Sequence, residues 1–259
     1  MTRKVLVIGI GAGHPDYVTM QAVNAMNAAD VFFIPDKGAE KAGLAALRTE
    51  IIQRYARHRA FRTLSYRMPA RRGGEGYAAV VSNWHDALEA CYGALLAEEL
   101  GPDETGAFLV WGDPALYDST MRILDRIRAS GRVAFDYEVI PGISSVQALA
   151  ARHRVPLNGI GRSVLITTGR DIAEGHPSPA DSIVVMLNAD KALQTADGEC
   201  EVFWGANIGL ADEVLVAGKL KDVIGDIEQI RAETRAARGW VLDTVLMRSE
   251  APSDPSDKT

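Results

Sequence analysis

The chain has 259 residues, 47% hydrophobic and 24% charged, the balance of a folded globular protein able to bury a core without covalent staples. A net charge of -6 argues against a general nucleic-acid binder, whose electrostatic footprint is basic. Two cysteines, Cys91 and Cys200, make neither a disulfide framework nor a zinc site, and read as buried free thiols in a reducing compartment.

The apolar run Val5 to Ile10 is short for a secretion signal and is stopped by Gly11-Ala12-Gly13-His14-Pro15-Asp16. No stretch approaches the length of a membrane span, so a cytoplasmic enzyme is expected. Val5-Leu6-Val7-Ile8, bounded by glycine, predicts a strand buried on both faces of a parallel sheet. Thr19 is placed to cap a helix reaching Ala28, and Val31 to Ile34 predicts a second strand stopped by Pro35. Residues 38–57 read as a helix with Leu44, Leu47, Ile51 and Tyr55 on one face, and a long helix is expected over about 75–100. Ala107 to Trp111 is a third buried strand, followed by a helix over about 118–129 and a strand ending at Ile140. This alternation predicts an α/β domain with a mostly parallel sheet.

The second half reads differently. Val164–Thr167, Ile183–Met186, Glu201–Trp204, Glu213–Val216 and Val241–Val245 are strand-like. The third and fourth lie too close for a crossover helix, so that pair is expected to be antiparallel and the second sheet mixed. The boundary falls near Pro141-Gly142, giving domains 1–141 and 142–248, and the Pro, Ser and Asp-rich residues 249–259 are expected to be disordered.

Three loops carry the chemistry. Gly9-Ile10-Gly11-Ala12-Gly13 follows the first strand and lets backbone approach a ligand closely. It fails the dinucleotide fingerprint, because the sixth place counted from Gly9 is His14 and from Gly11 is Asp16. A nicotinamide dehydrogenase is thereby disfavoured. Trp111-Gly112-Asp113-Pro114-Ala115-Leu116-Tyr117 follows a buried strand, where α/β proteins place ligands, although the same residues also suit an ordinary turn. Ile140-Pro141-Gly142-Ile143-Ser144-Ser145 opens a helix, and either serine can cap it.

Taken in order, the glycine-rich turn, Gly-Asp-Pro-x-x-Tyr and Pro-Gly-x-Ser-Ser resemble the tetrapyrrole methylases. The resemblance extends through Thr19 to Asp30, Val155-Pro156-Leu157, Ser182 to Leu187, Trp204-Gly205-Ala206-Asn207 and Asp212 to Leu220, to about residue 248. It implies two α/β domains, S-adenosylmethionine in a cleft between them, no metal, and a homodimer. Phe108 to Thr120, Trp84-His85, His153 to Asn158, Ile166 to Arg170, Phe203 to Asn207 and Gly239 to Thr244 narrow the likeness further. They resemble the members of the aerobic cobalamin pathway that methylate C-1 of precorrin-5 and release acetate. At the carboxyl end the family's small apolar strand is replaced by Gly239-Trp240-Val241-Leu242-Asp243, so no cofactor contact is expected there.

The resemblance implies that Pro15, Gly112, Asp113, Leu116, Ser144, Ser145, Met186, Leu187 and Ala206 surround the cofactor. Met186 and Leu187 read equally well as core residues of a strand. The tetrapyrrole substrate, a small molecule, carries many carboxylates, and residues 37–72 are rich in lysine and arginine. Arg48, Arg54 and Arg57 read as a solvated helix face, whereas Arg67, Arg71 and Arg72 sit in an expected loop and are the candidates for gripping substrate. Acetate release requires attack of water on an acetyl carbonyl, with Asp113 ranked first and His85 second as the acid/base residue, ahead of His153 and Asp118. Alternatives are a sister methyltransferase acting at another ring position or on another substrate, and a cofactor-binding module without catalysis.

Overall fold

The computed structural model describes residues 2–36, 38, 42–57, 60–71, 77–175 and 180–248. The chain divides into two compact units, Met1–Ser144 and Ser145–Thr259.

In the first unit the run around Val5–Ile8 forms β1 (Arg3–Gly9), hydrogen-bonded on both sides within a parallel sheet. The remaining strands are β2 (Val31–Asp36), β3 (Arg62–Arg67), β4 (Thr105–Val110) and β5 (Phe135–Ile140), and their order is β3-β2-β4-β1-β5. All neighbours are parallel. Helices α1 (Met20–Ala28) and α2 (Ala42–Tyr55) cover one face through Met26, Ile51 and Ile52 on Ile8, Phe32 and Leu109. Helices α3 (Tyr77–Ala94), extended by a π-helical turn at Leu95–Glu99, and α4 (Thr120–Ser130) cover the other. There Leu88, Tyr92, Leu96, Ile123 and Leu124 pack on Val5, Val7, Phe33 and Phe108. Adjacent strands β4 and β1 are thus followed by helices on opposite faces, as are β4 and β2. Each pair opens a crevice at the carboxyl-terminal edge of the sheet.

Thr19 caps α1, its Oγ1 accepting the Ala22 N–H at 3.1 Å. β2 runs through Pro35 rather than stopping there. Its pairing with β4 ends at Phe33, so beyond that point it has one partner and a residue without an N–H is accommodated. β3 is a strand the sequence reading does not include, and it takes in Arg67, expected in a loop. It is an edge strand that buries Tyr66 and half-buries Leu64, with polar side chains outward, and Arg67 is its last residue.

The second unit contains α5 (Ser145–His153), β6 (Val164–Thr167), α6 (Gly169–Ala173), β7 (Ser182–Val185) and α7 (Ala189–Thr195). These are followed by β8 (Glu201–Ala206), β9 (Val214–Lys219), α8 (Leu220–Arg238) and β10 (Asp243–Arg248). The sheet is mixed, ordered β6-β7-β10-β8-β9. β6 and β7 are parallel and every other pair is antiparallel, including β8 with β9. The last strand begins two residues later than expected, at Asp243 opposite Ala206. Trp204 is fully buried, and its indole N–H donates to Asp243 Oδ2 at 3.1 Å. Arg231 pairs with the same carboxylate and reaches Asp190 at 3.1 Å. Cys200 is buried and Cys91 half-buried, and both are free thiols. The tail at 249–259 lies outside the described residues.

Candidate active site

The three loops converge at the carboxyl-terminal edge of the first sheet. Gly11 and Gly112 exchange main-chain hydrogen bonds, Gly112 N–H to Gly11 O at 2.8 Å and the reverse at 3.3 Å. Asp113 ties in the third loop. Its Oδ2 accepts the Gly142 N–H at 2.9 Å and its Oδ1 the Ala115 N–H at 2.8 Å. The carboxylate that ranked first as a base therefore organises the loops through both oxygens.

The glycines of the tied loops serve two different needs. Close packing is at Gly142, where a Cβ would stand 2.1 Å from Gly112 O. Gly112 is needed for its left-handed backbone, φ +66°, since a Cβ there would come no closer than 3.6 Å to Ser144 Cα. A Cβ there would sit in ordinary van der Waals contact with Ser144, so the constraint at Gly112 is its backbone conformation rather than its size.

The other expected cofactor residues are placed as follows. Pro15 opens a 3-10 turn, and its carbonyl accepts Tyr55 Oη–H at 3.2 Å. Leu116 is half-buried in the loop after β4, and Ser144 is buried. In the second unit Ser145 is the first residue of α5, and its Oγ accepts Thr244 Oγ1–H at 2.8 Å. Met186 and Leu187 follow the end of β7 instead of lying within it, and Leu187 is exposed. Ala206 is buried at the end of β8.

A cavity of about 550 Å³ opens beside the loop leaving β3. Arg67, Arg71, Asp36 and Trp84 line it, with Met68–Ala70 along the wall. Trp84 Nε1–H donates to Pro69 O at 3.0 Å, which fixes that loop to α3, and the Arg71 guanidinium lies 5.9 Å from the Trp84 ring centre. Arg72 lies outside the described residues.

His85 projects from α3 with Nε2 3.1 Å from Ser119 Oγ. Burial, then Arg126, Arg122 and Arg71, push its pKa below the ordinary 6.5, with Asp86 opposing. The other two acid/base candidates are engaged structurally. His153 Nε2 lies 2.9 Å from Trp204 O, and Asp118 Oδ1 accepts the Thr120 N–H at 2.7 Å at the start of α4.

Arg48 is not on a solvated face. It is 7% exposed, and it spans the place where β2 and β4 part: Nε–H donates to Leu109 O at 3.0 Å and Nη1–H to Leu44 O at 3.0 Å. Burial lowers its pKa, offset in part by Tyr66, Asp118 and Tyr92. The sequence held a signal for this, because Arg48 falls on the Leu44–Ile51–Tyr55 stripe of α2. Arg54 is at the surface, paired with Asp16 at 2.6 Å. Ser119 was not singled out from the sequence. Its signal was its place just before an amphipathic helix, at the end of the Gly-Asp-Pro loop.

The sequence profile of the tetrapyrrole (corrin/porphyrin) methylases matches residues 4–224. The precorrin-6A synthase [deacetylating] of Sinorhizobium sp is 49% identical over 254 residues, 97% of each chain. A cobalt-precorrin-2 C(20)-methyltransferase of Salmonella typhimurium is 27% identical over 191 residues, 72% of this chain and 73% of the relative. Among solved structures, a cobalamin synthesis related protein from Corynebacterium diphtheriae superimposes with a TM-score of 0.80 at 32% identity, covering 96% of this chain and 99% of that one. Cobalt precorrin-4 methyltransferase shares the fold at a TM-score of 0.58 and 19% identity, over 95% and 94% of the two chains. The chain belongs to the tetrapyrrole methylase family, whose members are S-adenosylmethionine-dependent methyltransferases.

Proposed function

We propose that this protein is an S-adenosylmethionine-dependent C-methyltransferase of cobalamin biosynthesis that converts precorrin-5 to precorrin-6A, methylating C-1 and releasing acetate. The observation that carries this reading is 49% identity over 97% of the chain to a precorrin-6A synthase [deacetylating]. The three tied loops agree with it. Pro15, Gly112, Asp113, Leu116 and Ser144 surround the cofactor from the first unit, and Ser145, Met186, Leu187 and Ala206 carry the same proposal for the second. The cofactor, when bound, supplies an activated methyl group. The protein's part is orientation and exclusion of water, and pre-positioning two reactants is worth about 7–11 kcal/mol of barrier in favourable cases.

Arg67 and Arg71 line the cavity and supply forked donors for substrate carboxylates, with Arg72 proposed beside them. Asp113 and His85 are the acid/base candidates. His85 has a pKa held low and Asp113 has both oxygens committed to main chain, so His85 takes first place. The reading carries with it a homodimer, a cytoplasmic location, and no requirement for metal or nucleic acid.

Incubation of the purified protein with precorrin-5 and methyl-labelled cofactor tests it. One methyl gained with one acetate released is the expected result. Methyl gain without acetate indicates a sister enzyme acting at another position, and no transfer overturns the reading. Light scattering reports the assembly.

A further inference from the structure

The contact between His85 and Ser119 is used neither by the cofactor loops nor by the arginine-lined cavity. The two residues come from different helices, α3 and the start of α4. α3 meets the loop leaving β3 through Trp84 and Pro69, and Ser119 ends the loop leaving β4. Both loops leave the carboxyl ends of parallel strands, the edge at which α/β sheets bind ligands. Ser119 precedes the helix yet makes no side-chain capping bond, since Asp118 takes the Thr120 N–H instead. Its hydroxyl is left to the imidazole at 3.1 Å. Burial and the nearby Arg126, Arg122 and Arg71 favour the neutral ring, the form that accepts a proton. With the proton on Nδ1, Nε2 accepts the Ser119 hydroxyl, the arrangement in which a base activates a nucleophile.

Methyl transfer from a sulfonium has no use for such a pair, whereas cleavage of an acetyl group can use one. On the proposed reading of the activity, on which this step rests, we infer that Ser119 and His85 are the nucleophile and base that remove the acetyl group. His85 Nε2 takes the Ser119 proton as Oγ bonds to the acetyl carbonyl carbon. The tetrahedral adduct collapses with cleavage of the bond between that carbon and the macrocycle. The electron pair stays with the macrocycle, which receives the proton from the imidazolium. His85 then takes a proton from water, the hydroxide adds to acetyl-Ser119, and Oγ leaves with a proton. Acetyl-macrocycle and water give protonated macrocycle and acetic acid, with no change of oxidation state overall.

Single-turnover reactions with precorrin-5 and S-adenosylmethionine, using Ser119→Ala and His85→Gln checked for fold by circular dichroism, test this. Acetate release falls by about 10²–10⁴-fold while methyl transfer persists, and the product retains both the new methyl and the acetyl carbon. Acid-quenched wild-type enzyme adds a measurement that requires no variant. The peptide containing Ser119 gains one acetyl group, which appears after methylation and decays as acetate is released. Acetate release at the wild-type rate from a folded Ser119→Ala protein, or acetate release from wild type with no acetylated Ser119 peptide at any time point, overturns the inference. Failure of the wild type to methylate precorrin-5 at all counts instead against the proposed function, so the two failures are told apart.

Discussion

Asp113 Oδ2 accepts the main-chain N–H of Gly142 at 2.9 Å, joining the loop after β4 to the loop after β5. With Oδ1 on the Ala115 N–H, the carboxylate holds the shape of a loop that also bonds Gly11 through Gly112. Hydrogen bonds to a charged acceptor contribute roughly 1.5–3 kcal/mol each. Asp113→Ala should therefore lose about 2 kcal/mol or more of stability and weaken S-adenosylhomocysteine binding in parallel. Asp113→Asn, which retains one acceptor, should lose about half as much. Urea unfolding and calorimetry read both. An Asn variant that keeps stability and cofactor affinity but fails to release acetate would return Asp113 to the chemistry.

Gly142 and Gly112 should fail in different ways. Alanine at 142 places Cβ 2.1 Å from Gly112 O, and the clash is with backbone, which cannot rotate aside. Alanine at 112 meets nothing closer than 3.6 Å but must hold φ +66°, at a cost of about 1–2 kcal/mol. Gly142→Ala is expected to be the less stable protein. Gly112→Val should fold and lose cofactor binding, because its branched side chain would stand against Ser144 in the loop proposed to hold the cofactor. Equal unfolding midpoints for the two alanine variants, or normal cofactor affinity in Gly112→Val, would contradict this assignment.

Arg48 holds the Leu109 and Leu44 carbonyls where β2 and β4 separate. Arg48→Met keeps the apolar stem and leaves the Leu109 carbonyl without this donor, an unsatisfied buried group costing about 1–3 kcal/mol, while Leu44 O keeps its helical N–H. A fall of roughly 1–3 kcal/mol in unfolding free energy is expected. Lysine should restore little, because a single ammonium does not reproduce the two-directional fork. Chemical denaturation of the three proteins decides it, and an unchanged midpoint for Arg48→Met would place the arginine outside the core.

Arg67→Gln and Arg71→Gln should each weaken substrate binding by about tenfold, corresponding to roughly 1.4 kcal/mol, with S-adenosylhomocysteine affinity unchanged. The loss should shrink as salt screens the wild-type contacts. Titrations of substrate and cofactor separate the two sites. A fall in cofactor affinity with no change for substrate would move these arginines out of the substrate cavity.

His85 faces Arg71, Arg122, Arg126 and Asp86, and its pKa lies below 6.5, with burial the largest cause. The depressed value means the folded protein resists protonation. His85's contribution to stability is complete above pH 6.5 and is lost as pH falls below it, because the unfolded chain takes up the proton first. Acetate release should accordingly remain flat through neutral pH and decline only below the range of an ordinary histidine. Arg122→Gln removes one of the positive neighbours and should move that decline to higher pH. Rate–pH profiles of acetate release in the two proteins test the shift, and an unmoved limb would assign the titration to another group.

The sequence by itself determined the architecture. Short continuous apolar runs bounded by turn residues, such as Val5–Ile8, read as strands covered on both faces, and the short spacing between Glu201–Trp204 and Glu213–Val216 leaves no room for a parallel crossover. The ordered glycine, Gly-Asp-Pro and Pro-Gly-x-Ser-Ser motifs marked the loops because strand–loop–helix punctuation is local. β3 was hidden because an edge strand that buries little beyond Tyr66 has a weak pattern. α8 was overlooked although Leu220, Ile227 and Arg231 recur at helical spacing on its buried face.

Only the tertiary structure decided what the polar residues do. Asp113 on Gly142, Arg48 on Leu109, and His85 against Ser119 are contacts between residues 29, 61 and 34 positions apart. Periodicity can place each on a loop or a helix face, but cannot say which backbone group or hydroxyl it meets. That depends on strand order: β4 lies between β2 and β1, although the chain makes it fourth. The insertion brings the Gly-Asp-Pro loop beside the glycine-rich turn, and it opens at the end of β2 the gap that Arg48 fills.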